Sequence, residues 1–498
     1  MLGNVIAEPA AGAGPDRRRW LALVVIVAAQ FMVVLDVAIV NVALPSIKAD
    51  LHFSQESLQW VVTAYAIFFG GMLLLGGRLA DLLGRRRLFM AGLLLFTASS
   101  LLDGLAWSEG SLIVFRSLQG LGAALLSPAA LSILTTTFEE GRERNVALGI
   151  WGAASGSGGA AGVLLGGALT SALDWSWIFY INVPVGALVL AVSPWLLADS
   201  RADLTHRHVD VAGAASIAAG LMLLVYAMTR ATQHGWVTGA TIGLLAASAA
   251  LMLGFLVIEA RSAAPLLPMR IFRLRTLTAS NISGLLMGAA IFSQFFLLTL
   301  YMQQVLHYSA LKTGVAYIAL TLTVIALSAA AQGLVTRIGI RRVLPVGQVV
   351  FAAALLLFAR LPVHGHYWAD LLPAFLLSGL GLALAFVPMS IGGLTGVRQD
   401  DAGVASGLIT TTQQIGGAIG VAVATTLATT FTNHYVNDHP GASALGGAAL
   451  THGFQIAYYV LAGLAGLGAI LSALLVEPVP VAPAEAATDG GLEPATAG

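Results

Sequence analysis

"WLALVVIVAAQFMVVLDVAIVNVALP", residues 20–45, decides the fold of this 498-residue chain. About 20 consecutive apolar residues carry a helix across the hydrocarbon of a bilayer, and this run exceeds that length with one acid, Asp36, inside it. It is too long for the apolar core of a signal peptide, so it reads as a first membrane span that is not cleaved. Ahead of it lies a tail with Pro9, Pro15 and Arg17–Arg19. A carboxylate deep in hydrocarbon costs on the order of 3 kcal/mol on insertion scales and is kept there for a purpose. Asp36, with Asn41 in the same run, is therefore the first functional candidate.

Composition extends the membrane reading to the whole chain: 58% of residues are hydrophobic and 10% charged, against about 25% charged in soluble proteins. The lipid bilayer is the first partner this implies. The net charge is zero, and nothing points to a nucleic-acid partner. The absence of cysteine excludes disulfides, thiol chemistry and cysteine-ligated metal.

By the same length criterion fourteen spans are expected, at 20–46, 58–79, 88–107, 112–137, 145–170, 177–197, 211–229, 237–259, 277–302, 314–335, 343–361, 371–396, 403–430 and 453–476. The shortest and richest in alanine or valine are 211–229 and 343–361. The fold class is an all-α integral membrane protein with 14 transmembrane helices. The cations test the count. Arg17–Arg19, Arg78, Arg85–Arg87, Arg142, Arg144, Arg201, Arg207, Arg261, Arg270, Arg273, Arg275, Arg337, Arg341, Arg342 and Arg398 fall on one side. Lys48, Arg230, Lys312 and Arg360 fall on the other, and Arg116 lies within a span. The positive-inside rule then puts both termini in the cytoplasm. The preponderance of arginine over lysine, with many alanines, hints at a GC-rich bacterium, and the expected location of the multi-pass chain is the bacterial cytoplasmic (inner) membrane.

A weak internal repeat organises the spans. "GGRLADLLGRRR" (76–87) is echoed by "QGLVTRIGIRR" (332–342), with Gly84 on Gly339 and Arg86 and Arg87 on Arg341 and Arg342. "QGLGAALLSP" (119–128) is echoed by "SGLGLALAFVP" (378–388), apart from one inserted residue. The simplest organisation is two six-helix halves, 20–197 and 261–476, plus two inserted central helices within 198–260. A cytoplasmic tail, 1–19, precedes them and a disordered cytoplasmic tail, 477–498, follows. Transporters built on such repeats place their substrate site between the halves. Fourteen helices suffice for a monomer.

Energy source comes next. Neither lysine stands in a phosphate-binding G-x-x-x-x-G-K-[ST] context, and "GSGGAAG" (156–162) lies in an apolar helix with no strand before it, so no nucleotide site and no cofactor are expected. The histidines fall in loops or at span ends without three or four converging ligands, so no metal is expected. No clustered acids or nucleophile–base pair marks a catalytic site, and an enzyme is not expected.

Asp36 lies about 24 Å along the first span at 1.5 Å per residue, and Arg116 about one turn inside the fourth. Their depths permit pairing in the outer half of the membrane. Of the acids, Asp36 alone lies well inside a span, with Asp103 and Glu259 near span ends. The pair reads either as a structural ion pair or as a titratable carboxylate whose proton affinity follows the contents of a cavity. In 76–87, Gly77 and Gly84 permit a tight turn, and Asp81 with Arg85 is spaced for an ion pair. Together with Arg78 and Arg86 these residues read as either topological signal or breakable latch. Gly158, Gly162 and Gly166 recur every fourth residue and let another helix approach, as do Gly416 and Gly420. Here packing alone and a part in opening and closing stand side by side. Asn41, Gln119, Gln294, Gln413 and Gln414 are polar candidates for a cavity lining.

With these residues in view the sequence resembles the major facilitator superfamily, in its fourteen-spanner drug:proton antiporter branch, over about 20–476. "GRLADLLGRRR" looks like the superfamily's signature between the second and third helices. "RSLQGLGAA" (116–124) is similar to the fourth-helix motif, which implies a proton-coupling role for Arg116. "LDVAIVNVALP" (35–45) looks like the branch's first-helix motif with Ala38 in place of threonine, and "WSWIFYINVPVG" (175–186) and "PLLPMRIF" (265–272) read as branch text. "GVLLGG" (162–167) is similar to the fifth-helix antiporter motif G-P-x-x-G-G, with Gly162, Gly166 and Gly167 kept and Val163 in place of the proline. The resemblance implies a proton-coupled secondary exporter of amphipathic small molecules (drugs, dyes or an endogenous metabolite), a multidrug-efflux and antibiotic-resistance type working by alternating access. Asp36 and Arg116 would couple protons to substrate. The alternatives are a proton-coupled uptake symporter and a membrane protein that transports nothing.

Overall fold

The computed structural model describes residues 15–54, 56–138, 142–198, 211–262, 269–397, 402–439, 441, 443–444 and 446–477. All regular structure in them is helical. Inside a bilayer no water completes the backbone's hydrogen bonds, so apolar runs of this length close them within helices.

In chain order the helices are α1 (Pro15–Asp50), α2 (Trp60–Leu83), α3 (Arg85–Gly104), α4 (Glu109–Thr137), α5 (Arg142–Ala172), the one-turn α6 (Trp177–Tyr180), α7 (Asn182–Leu196), α8 (Val211–His234) and α9 (Gly239–Arg261). There follow α10 (Arg275–Leu300), α11 (Ala310–Ile338), α12 (Ile340–Phe358), α13 (Leu372–Gly392), α14 (Ala402–Asp438) and α15 (Gly447–Leu475). Eleven stretches of helix among the described residues are long and apolar enough to cross a membrane, α6 and α7 forming one of them. The span expected at 343–361 is one of the eleven, as Ile340–Phe358, whereas those at 58–79, 145–170 and 211–229 supply only shorter apolar stretches: Trp60–Leu73, Ala161–Ala172 and Ala215–Met228. α2, α5 and α8 run through these positions as helices of 24, 31 and 24 residues.

The joints are set locally. Gly84 (φ 105°) turns α2 into α3, and Gly339 (φ 83°) turns α11 into α12 at the echoing position. Both backbones stand in the left-handed region that a side chain would strain. Ser108 caps α4 by accepting from the Ser111 amide, and Ser309 caps α11 by accepting from the Lys312 amide. Each satisfies a donor that the helix start leaves open.

Helices α1–α7 pack chiefly on one another, as do α10–α15, while α8 and α9 pair and α8 leans on α2 and α14. Two seams join the large groups, α2 on α14 and α5 on α11. Both groups use glycine for their closest crossing. A Cβ at Gly162 would lie 2.7 Å from the Leu35 carbonyl oxygen and one at Gly166 2.7 Å from that of Ile39, so α5 meets α1 backbone to backbone. Gly416 and Gly420 bring α14 equally close to Leu285 and Ala289 of α10.

Candidate functional site

Asp36 and Arg116 meet at the centre of α1–α7. Arg116 Nη1 lies 2.8 Å from Asp36 Oδ2, and the two side chains are 2% and 0% exposed. The guanidinium also donates from Nε to the Val61 carbonyl at 3.0 Å and from Nη1 to Gln119 Oε1. Its Cζ stands 4.4 Å from the centre of the Tyr65 ring and 5.6 Å from that of Phe179, distances at which aromatic faces attract a desolvated cation. The other carboxylate oxygen, Asp36 Oδ1, accepts from Gln119 Nε2 at 2.9 Å and from Asn182 Nδ2 at 3.0 Å. Asn182 also donates to Ser100 Oγ at 3.0 Å, and Ser100 donates to the Phe179 carbonyl at 2.9 Å.

Six helices supply this cluster: α1 the acid, α2 the tyrosine, α3 the serine, α4 the arginine and glutamine, α6 the phenylalanine, α7 the asparagine. Arg116 and Gln119 are three residues apart, hence on one face of α4. Taking one partner away from a buried ion pair costs about 3–5 kcal/mol, because the other charge is left bare.

The helix that carries Asp36 is fixed to α5 on either side of it. Cβ atoms at Gly158, Gly162 and Gly166 would meet the carbonyl oxygens of Phe31, Leu35 and Ile39. The next glycine, Gly167, faces the C-terminal group, where its Cβ would lie 2.7 Å from the Ala310 carbonyl of α11. A Cβ at Gly314 would in turn lie 2.6 Å from the Val163 carbonyl. The residue in place of the expected proline thus stands at the seam between the groups. Two hydrogen bonds close the same end: Gln303 Nε2 to the Val42 carbonyl at 2.7 Å, and the Leu311 amide to Ser171 Oγ at 3.0 Å.

The remaining candidates lie apart. Asn41 is buried and donates to the Val37 carbonyl of its own helix at 2.9 Å. Gln294 is wholly buried in α10 and accepts from Ser378 of α13 at 3.1 Å. Gln414 packs its Cβ where α14 crosses Gly70 of α2, and Gln413 puts its backbone against Gly288 of α10. A cavity of about 110 Å³ lies beside α10, α14 and α15 with Glu56, Phe296, Thr425 and Phe454 among its lining; Asn41, Gln294, Gln413 and Gln414 do not line it. A Cβ at Gly77 would meet only Pro128, at an ordinary 3.8 Å. Arg86 donates to the Pro194 and Leu197 carbonyls at the end of α7, where a cation suits the helix terminus. Arg85 is half-buried, and the side chains of Arg78 and Asp81 lie outside the described residues, so no latch is assigned to them. No group of three metal-ligating side chains occurs among the described residues.

Asn182, Ser100 and Tyr65 were missed by sequence reasoning. Their only signal was polarity within an apolar run, which many packing residues share. Asp103, expected near a span end, is wholly buried. The one-turn α6 lies over it: Tyr180 donates to the Gly104 carbonyl at 2.7 Å, and a Cβ at Gly104 would collide with the tyrosine ring.

Comparison with known proteins supplies the family. The sequence model of the Major Facilitator Superfamily matches residues 26–421. The puromycin resistance protein of Streptomyces alboniger is 40% identical over 479 residues, 96% of this chain and 95% of that one. The cephamycin export protein of Amycolatopsis lactamdurans is 42% identical over 404 residues, 80% and 83% of the two chains. The tetracenomycin C resistance and export protein of Streptomyces glaucescens is 34% identical over 403 residues, 81% and 74%. Among solved structures, an auto-inhibited peptide transporter of the POT family superposes with a TM-score of 0.67 at 17% identity, covering 92% of this chain and 96% of that one. A bacterial homologue of the human lysosomal transporter Spinster, inward-facing and unoccupied, gives 0.62 at 16% identity, covering 93% and 98%. Through its fold, its apolar helices and its relatives among antibiotic resistance and export proteins, the chain belongs to the Major Facilitator Superfamily of membrane transporters.

Proposed function

We propose that this protein is a proton-driven exporter of amphipathic small molecules, of the antibiotic-resistance type, working by alternating access. The observation that carries the reading is the buried Asp36–Arg116 pair, held by Gln119 and Asn182 on a helix clamped to the α5 glycines that lead to the α11 seam. Proton binding at Asp36 dissolves the pair. The release reaches α5 through Leu35 and Ile39, and the seam through Val163 and Gly167.

In this reading the chain spans the bacterial cytoplasmic membrane fourteen times, as two six-helix halves with α8 and α9 inserted, both termini cytoplasmic. The sealed α5–α11 end faces outward, and the protein works as a monomer. Asp36, deprotonated towards the cytoplasm, favours substrate there, and protonation from outside releases it. Amides such as Gln413 and Gln414 on α14 border the path. The puromycin, cephamycin and tetracenomycin relatives favour bulky natural-product antibiotics as cargo.

The test is ethidium and puromycin movement in inverted membrane vesicles under an imposed pH gradient, wild type against Asp36→Asn. Accumulation that collapses both with the gradient and with the substitution is expected. Normal gradient-driven accumulation by Asp36→Asn would remove Asp36 from the coupling. Depletion of the vesicle lumen in place of accumulation would make the protein an uptake symporter.

A further inference from the structure

Asp103 has no part in the network around Asp36. It is the penultimate residue of α3, wholly buried, and neither carboxylate oxygen has a hydrogen-bond partner among the described residues. A buried polar group left without partners is among the costliest features a fold can carry, and an ionised one more so. Every helix packed around it bears on its charge. From α4 comes Arg116 and from α1 Asp36, both within electrostatic range. From α2 comes Tyr65, whose hydroxyl is also buried and unpartnered. From α6 comes Tyr180, whose hydroxyl is bonded to the Gly104 carbonyl. From α7 comes Asn182, an amide bonded to Asp36 and Ser100, while Glu109 opens α4 beyond the turn. One guanidinium therefore serves two carboxyl groups. It balances the charge of one of them at a time, and its salt bridge is with Asp36.

Their order along the helices gives the unit a direction. Asp103 lies next to the 105–108 turn, where Leu105 and Trp107 are exposed, whereas Arg116 lies two turns inside α4.

We propose that Asp103 is a second proton-carrying group of this transporter, standing between the water at the α3–α4 turn and Asp36. The inference rests on the proton coupling proposed above. In the transfer the O–H bond of Asp103 breaks and one forms on the Asp36 carboxylate, while Arg116 leaves Asp36 and pairs with the Asp103 carboxylate. Before and after, the cluster holds one guanidinium, one carboxylate and one neutral carboxyl group. The proton advances without any step that creates a second buried charge. The Tyr65 hydroxyl, lacking a partner in the first arrangement, is available to donate to the Asp103 carboxylate in the second.

The test uses the full-length protein in two assays, with Asp103→Asn and Asp103→Glu. Infrared difference spectra over a pH series read the carboxyl stretch without needing a substrate. A protonated-carboxyl band that is present in the wild type, lost in Asp103→Asn and shifted in Asp103→Glu is expected. In proteoliposomes, puromycin accumulation under a pH gradient is expected to fall about a hundredfold in Asp103→Asn, the size of a lost proton-transfer group. Puromycin counterflow without a gradient stays near the wild-type rate, and Asp103→Glu restores accumulation. Identical spectra in wild type and Asp103→Asn would overturn the proposal. So would undiminished accumulation, or an equal loss of counterflow, which marks a merely structural residue. A wild type whose transport ignores the gradient would fail the coupling itself, and the infrared band would still decide whether Asp103 carries a proton.

Discussion

A guanidinium has five N–H donors and no acceptor, so one sealed from water must find its partners in protein. Arg116 finds the Val61 carbonyl, Asp36 and Gln119, with the Tyr65 ring over its face. Arg116→Ala leaves the Asp36 carboxylate buried without its cation and is expected to destabilise the protein by about 3–5 kcal/mol, read as a fall in melting temperature in detergent. The paired change Asp36→Asn with Arg116→Gln replaces charge by amides that can still bond. It is expected to recover most of that stability without restoring gradient-driven export. If the pair is purely structural, the double variant will transport as well as it folds. What was legible at this scale was charge. Asp36 and Arg116 stand out because hydrocarbon so seldom tolerates either, and Gln119 because it shares a face with Arg116. Ser100, Asn182 and Tyr65 did not stand out, since a neutral polar side chain within an apolar run says nothing of its neighbour until helices from distant sequence are brought together.

Between elements, the glycines of α5 separate packing from mere composition. Gly162 meets the Leu35 carbonyl, whereas a Cβ at Gly159, three residues earlier, meets nothing within 4 Å. Gly162→Leu is expected to force α1 from α5 at a cost above the usual 1–3 kcal/mol or so of overpacking, since the obstacle is backbone, and to abolish transport. Gly159→Ala is expected to leave both stability and transport unchanged. A thermal-shift assay beside puromycin efflux checks the pair, and equal effects would remove α1–α5 contact from the mechanism. The four-residue spacing announced that some helix would approach this face; it did not say which. Asp103 does stand near its span end, but its burial was not legible, because the end of a helix is exposed only if nothing lies across it, and α6 does.

For the whole molecule, the end sealed by α5 and α11 makes a handle. Leu311 and Ser171 are joined by a hydrogen bond of 3.0 Å, and the chain contains no cysteine. Ser171→Cys with Leu311→Cys is therefore a clean cross-linking background. Oxidation is expected to stop export and reduction to restore it, measured as puromycin efflux from whole cells. Undiminished efflux by the oxidised form would mean that this seam stays shut throughout transport. The helical class was legible from run lengths alone, because a bilayer leaves the backbone so few choices. Eleven of the expected crossings stand as long apolar helices among the described residues, and the helices α2, α5 and α8 cover the places of the other three.

Gln294 and Ser378 carry a last consequence. In the echo between 119–128 and 378–388, Ser378 takes the place of Gln119 and Phe375 that of Arg116, and Gln294 accepts from Ser378 as Asp36 does from Gln119. Among the described residues, α10–α15 bury no charged side chain, while α1–α7 bury Asp36, Asp103 and Arg116. In a membrane potential, worth about 2.3 kcal/mol per elementary charge per 100 mV, the opposite charges of Asp36 and Arg116 cancel, and a net charge arises there only when a proton enters or leaves. On the proposed coupling, each proton taken up gives the field a charge on α1–α7 to act on, with the C-terminal helices as the electrically silent frame against which that push becomes motion.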